Sequence, residues 1–253
     1  MTIDFCSLIA AIFIGGTAAL LGSLMITKRM ALTGDALGHI ALPGIGLALV
    51  LGLNISIGAF IFLLASILII WSLEQKTELP TDALFGVIFV LSLAVGFLVV
   101  PEPEILHALL GNISSVSFAD TVVSVILSTV IFIVLLKIYS KIILISISGD
   151  LAVSGGTNIK KYNLIYLILL AVVVAMGVKI TGSLLVGAML IVPASSARNI
   201  SRNLRQYFFF SIIFGVLSCT LGIFFSGMFG LPTGPSIILV SIIFFAVSLF
   251  FRR

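Results

Sequence analysis

Nine apolar runs, each near the length that crosses a bilayer, fill almost the whole chain: residues 7–27, 36–53, 55–73, 82–100, 119–140, 162–179, 182–197, 206–229 and 234–251. A bilayer core is about 30 Å thick, and a helix rising about 1.5 Å per residue needs roughly 20 residues to cross it. The fold class that follows is all-α, a polytopic transmembrane helical bundle of about nine spans. The run at 182–197 is short and ends in Pro193 and the Ser195-Ser196 pair; read as re-entrant, it leaves eight. Composition supports the membrane reading, with 61% hydrophobic residues, 9% charged and a mean hydropathy of +1.38. A soluble domain of this length has nowhere to hide so much apolar surface. No polar stretch is long enough to form a second domain, so residues 1–253 are read as a single transmembrane domain of a multi-pass cell-membrane protein. The first run follows Asp4 and lacks a basic leader, which makes it a first span and not a cleaved signal.

The basic residues set the expected orientation. With nine spans and the N-terminus outside, the cytoplasmic side receives Lys28, Arg29, Lys76, Lys137, Lys141, Lys160, Lys161, Arg198, Arg202, Arg205, Arg252 and Arg253, leaving only Lys179 of thirteen facing out. That asymmetry is the positive-inside pattern. An eight-span model spoils it, because Lys179 and the cluster Arg198 to Arg205 then share one face. Although the net charge is +4, the basic residues form small groups between apolar runs and not a stripe, so no nucleic-acid partner is expected. Cys6 and Cys219 give neither a disulfide framework nor a metal cluster.

Within this apolar background Gly34-Asp35-Ala36-Leu37-Gly38-His39-Ile40-Ala41-Leu42-Pro43-Gly44 carries the chemistry. Asp35 and His39 are four residues apart, about one helical turn, so both side chains fall on one face and can share a ligand. A carboxylate with an imidazole suits a divalent transition metal, or a proton path. The plainer reading makes Asp35 a helix cap and His39 an interfacial side chain. Glycines in the first two spans (Gly15, Gly16, Gly22, Gly38, Gly44, Gly46) allow close helix packing, and Pro43 favours a hinge.

Two connections are longer than the rest. The outer loop from Pro101 to Asp120 holds a possible short helix around Ile105 to Leu110. In the inner segment Ser146 to Lys161, Ser148 or Asp150 can cap a short helix that Gly155-Gly156 would end, a lever for a soluble partner or a plain loop.

Taken in order, these stretches resemble the membrane permeases of the manganese, zinc and iron ABC importers, nearly end to end. The resemblance rests on Lys28-Arg29-Met30-Ala31-Leu32-Thr33-Gly34-Asp35-Ala36-Leu37-Gly38-His39 with Leu42-Pro43-Gly44, on Thr81-Asp82-Ala83-Leu84-Phe85-Gly86, and on Leu110-Gly111-Asn112. Gly182 to Arg198 and Leu231-Pro232-Thr233-Gly234-Pro235 complete it. It implies a homodimeric permease with ATP-binding subunits inside and a metal-binding protein outside. It implies no permanently bound cofactor, the divalent metal (manganese, zinc or iron) being the substrate, and places Asp35 and His39 on its path. It also implies that the segment around Gly149, Asp150, Leu151, Ala152, Val153, Ser154, Gly155 and Gly156 is the coupling helix seated on the ATPase. The chain departs from the family pattern at Gly38, where Ser is common, and at Pro235. A mid-membrane ligand site further requires the Thr33-Gly34 entry to be sunk within protein.

Other classes fit less well. An intramembrane aspartyl protease needs two facing aspartates, yet Asp82 and Asp120 sit at span ends on opposite sides, and a serine protease lacks a histidine in another span, His107 lying in a loop. An ion-coupled secondary transporter of metal ions is the alternative, but repeated halves with paired broken helices are not evident. The chain has no phosphate-binding Gly-x-x-x-x-Gly-Lys-Ser/Thr loop, so any ATPase is a separate polypeptide and the chain itself is not an enzyme.

Overall fold

A computed structural model describes residues 5–99, 117–183 and 185–251, and every regular element among them is helical. The chain runs through α1 (Phe5–Thr27), α2 (Ala31–Ile40), α3 (Leu42–Val50), α4 (Ile55–Glu74), α5 (Thr81–Val99) and α6 (Phe118–Ile147). It continues through α7 (Gly149–Ser154), α8 (Ile159–Thr181), α9 (Val186–Ile200), α10 (Leu204–Phe229) and α11 (Thr233–Phe250). Short polar residues start the helices by bonding amides that the first turn leaves free. Asn54 accepts from Ser56 N at 2.9 Å, Asn158 from Lys161 N at 3.1 Å and Asn203 from Gln206 N at 2.9 Å. Ser117 and Asp120 form a reciprocal capping box on α6. Gly230, at φ 64°, ends α10 in the left-handed conformation that glycine adopts without a Cβ clash.

Contacts between distant residues fix which ends lie together. Lys28 at the close of α1 donates to Asn163 in the first turns of α8 at 2.6 Å, and Trp71 near the end of α4 donates to the Lys160 carbonyl. Tyr166 and Tyr207 donate to the Leu21 and Ser23 carbonyls, and Asn199 donates to Ser248. These bonds gather the C-terminal ends of α1, α4, α9 and α11 with the starts of α8 and α10 at the end that carries α7. At the opposite end, Thr121 donates to the Cys6 carbonyl and Lys179 to Asp120. Helix α1 is the most enclosed span, packed against α6, α9 and α10. Gly44 in α3 and Gly58 in α4 touch backbone to backbone: a Cβ on either would lie 2.2 or 2.3 Å from the other's carbonyl oxygen. Close approach of this kind is how helices associate in lipid, where no hydrophobic force drives them together.

Among the described residues, eight helical stretches are long and apolar enough to cross a membrane, counting Ala31–Val50 as one. That stretch is α2 and α3 joined at Ala41, with Pro43 opening α3. The ninth expected run, 182–197, forms α9, a helix of 15 residues, or about 22 Å, against a hydrocarbon core of about 30 Å. It is short because the chain turns early. Gly182, at φ 83°, and Ser183 are buried, and Val186 packs against Gly177 of α8, so α9 starts inside the bundle. The expected short helix at 105–110 and the stretch Leu110-Gly111-Asn112 lie outside the described residues.

Candidate functional site

Asp35 and His39 occupy consecutive turns of α2, and the structure removes the plainer reading of the acid. The N-cap of α2 is Met30, without a side-chain bond, and Asp35 lies beyond the first turn, so its carboxylate caps nothing. Among the described residues no side chain or amide hydrogen-bonds it, and in the single chain it is exposed. His39 is half-buried, its ring edge-on to Phe89 of α5 with centroids 5.2 Å apart. Its Nδ1 is buried with no hydrogen-bond partner. A carboxylate and an imidazole nitrogen one turn apart in an apolar wall are chemically able to bind a divalent cation or to pass a proton. Counting from Met30, the two side chains lie about 7.5 and 13.5 Å along the helix axis, a rise that reaches mid-core if the helix enters a hydrocarbon core of about 30 Å at Met30.

The entry to that position is sunk in protein, as a ligand site at this depth requires. Thr33 is 1% exposed and Gly34 is buried. The Thr33 hydroxyl donates to the Asp82 carboxylate at 2.8 Å, tying α2 to the first turn of α5. On the other side, the α9 backbone presses on α2. A Cβ at Gly187 would lie 2.7 Å from both Cα and N of Asp35, and one at Gly38 would lie 2.1 Å from the Ser183 carbonyl oxygen. Three stretches quoted for the resemblance therefore meet here: Gly34 to His39, Thr81 to Gly86 and Gly182 to Arg198. Gly38 means more than the loss of a serine hydroxyl, since this crossing leaves no room for any side chain there. Immediately after His39 the helix is interrupted at Ala41, and Pro43 is the residue whose missing N–H would have closed on the His39 carbonyl.

Phe89 was not legible as a site residue, because a phenylalanine in an apolar span carries no signal of what it touches. Nor was the inward fold of Lys28. Its ammonium lies 5.5 Å from the Tyr166 ring centre and beside a cavity of about 440 Å³ that Glu74, Asp82 and Asn163 also line. Burial holds its pKa below the ordinary lysine value, with Glu74 pulling the other way. The residues of the expected lever form α7. Ser148 caps it by accepting from Leu151 N at 3.3 Å, and Gly155 closes it. Ala152 is fully buried while Leu151 and Val153 are each 61% exposed. His107, assigned to a loop from the sequence, lies outside the described residues. Among those residues no group of three or more His, Cys, Asp or Glu side chains is placed to hold a metal ion.

Fold and site thus define a multi-pass helical membrane protein with an exposed acid and a half-buried imidazole one turn apart, just before a break in their helix. The chain belongs to the ABC 3 transport family, whose model matches residues 3–252. It is 33% identical over 249 residues to the manganese import system permease protein ScaB of Streptococcus parasanguinis, covering 96% of this chain and 89% of that one. It is 29% identical over 249 residues to the manganese transport system membrane protein MntC of Listeria monocytogenes, covering 97% and 89%. To the high-affinity zinc uptake system membrane protein ZnuB of Buchnera aphidicola it is 33% identical over 235 residues, covering 90% of each. Among solved structures it is similar to PsaBC from Streptococcus pneumoniae in complex with Fab, with a TM-score of 0.87 and 29% identity over 100% of this chain and 93% of that one.

Proposed function

We propose that the chain is the membrane permease of an ATP-driven importer of divalent transition metal ions, and that the ion passes Asp35 and His39. The observation that carries this reading is the unpaired Asp35 carboxylate one turn from the unsatisfied His39 Nδ1, on a helix broken just after His39. Manganese and zinc are favoured as substrates by the names of the relatives, and iron rests on the family resemblance alone. Carboxylate and imidazole accept all three, so geometry and supply select among them. ATP-binding subunits dock on the end that carries α7, with Gly149 to Gly156 as the coupling segment, and a metal-binding protein delivers the ion at the opposite end. The exposed Leu151 and Val153 support that docking, since they project past the bundle on a capped helix. The short α9 completes a ninth crossing within the protein, which keeps the N-terminus outside and the basic clusters inside. A homodimer is part of the reading: an exposed, unpaired Asp35 facing lipid is costly, and a second copy closing over that face encloses the path.

The test is metal uptake into vesicles containing the permease, with and without its ATPase subunits. Uptake of manganese or zinc that requires both the ATPase and ATP supports the proposal; uptake driven by an ion gradient without the ATPase identifies a secondary transporter instead.

A further inference from the structure

Away from Asp35 and His39, at the end opposite α7, a cleft of about 440 Å³ opens between α4 and α6. Its walls and floor are apolar, formed chiefly by Ile14, Phe60, Val123, Leu127, Ala175 and Met176. It is deep enough to reach Ile14 of the enclosed helix α1, which is 1% exposed, while the rim residues Ile57 and Val123 are 56% and 51% exposed. In a bilayer that rim faces acyl chains, so the cleft is open to lipid from the side.

The mouth has a different chemistry. Lys179 lies there, 2.5 Å from Asp120, with the two side chains only 14% and 20% exposed. Asp120 is committed to its helix start: the same Oδ2 that receives Lys179 also accepts from the amide and the hydroxyl of Ser117. An ammonium has three donors, and among the described residues Lys179 uses one. Every other described Lys and Arg lies toward the α7 end of the bundle. A lysine paired with Asp120, two of its three donors unused among the described residues, is thus held in place at the lip of a deep apolar slot.

We propose that this cleft binds one glycerophospholipid, an acyl chain lying in the slot and the phosphate held by Lys179. A lipid chain gains nothing by leaving other lipid, so retention comes from close packing along the slot and from the charge-assisted bond at its mouth. A free anion has the cation but not the slot, and a detergent or apolar side chain has the slot but not the cation.

The full-length permease, purified in mild detergent and supplied with phosphatidylglycerol, is examined by native mass spectrometry. Wild type retains one phosphatidylglycerol per chain after detergent washing. Lys179→Gln lowers occupancy about tenfold, the scale of one hydrogen bond to a charged group, and Val123→Trp lowers it by filling the slot. Lys179→Arg keeps the lipid, and Lys137→Gln, far from the mouth, leaves occupancy unchanged. No retained lipid in wild type, or equal retention in all variants, overturns the proposal. So does efficient crosslinking of Ile57→Cys in bilayers to a second copy or to residues 100–116, since protein then fills the cleft.

Discussion

Asp35 and His39 depend on glycines they do not touch through their own side chains. Gly187 seats α9 directly on the Asp35 backbone, and Gly38 seats α2 on the Ser183 carbonyl, so the turn that carries the two proposed ligands is positioned by backbone contact. Overpacking a tight site of this sort costs about 1–3 kcal/mol. Gly187→Ala is therefore expected to lower the apparent melting temperature of the purified permease and to impair uptake, although neither proposed ligand is altered. An unchanged melting temperature together with normal uptake would show that α2 and α9 can separate freely here. Gly38→Ser, which restores the residue common in the family, is expected to be harmful in this chain, because the added Cβ would meet the Ser183 carbonyl oxygen. Uptake at the wild-type level by that variant would mean that the turn at residues 182–185 shifts to admit it. At this scale the pairing of Asp35 with His39 was legible from their spacing. It concealed Phe89 and the Thr33–Asp82 bond, which depend on how α2 and α5 cross.

Among the elements, α7 exposes Leu151 and Val153 on either side of the buried Ala152. Ser148 and Gly155 were legible as its ends because N-caps and glycine stops are local chemistry. Its sidedness was not, since which residue of a six-residue helix turns inward is decided by α6 and α8. Ala152 proves to be the buried one, so a charge there would disturb packing, whereas Leu151 is open. Leu151→Glu is accordingly the clean test of coupling: the permease should remain folded and membrane-inserted, while crosslinking to the ATPase and ATP-driven uptake both fall. If both persist, α7 is only a connection. The long apolar runs were readable for the same reason that caps are, because each satisfies its backbone within itself. The extent of α9 was not. Its apolar run is no guide to the buried turn at Gly182-Ser183, which exists only because α8, α2 and α9 pack together around it. Likewise Pro43 announced a break near Leu42, but only the packing of α3 on α4 and of α2 on α9 shows that the break separates two docked pieces.

For the whole molecule, the charge pattern predicts one orientation, and the fold groups the same basic residues at one end. The sequence placed the basic clusters on one side by the positive-inside rule, and the folded chain gathers the described members of those clusters toward the α7 end, with Lys179 at the other. A reporter or single accessible cysteine at Lys160 should therefore map to the cytoplasm and one at Glu102 to the outside; the same side for both would end the nine-crossing arrangement. Beyond topology, the account stands or falls on whether the acid on α2 meets the ion. The most direct measurement is ATP-dependent manganese or zinc uptake by Asp35→Asn in vesicles that also hold the ATPase, with ATP hydrolysis recorded alongside. That substitution keeps the size of the side chain and removes only its charge, at a position where the structure shows no capping bond to preserve. The prediction is loss of most uptake while insertion and the partner's ATP hydrolysis are retained. Uptake close to that of wild type would show that the carboxylate takes no part in passage, and would contradict the assignment of Asp35 and His39 as the metal path.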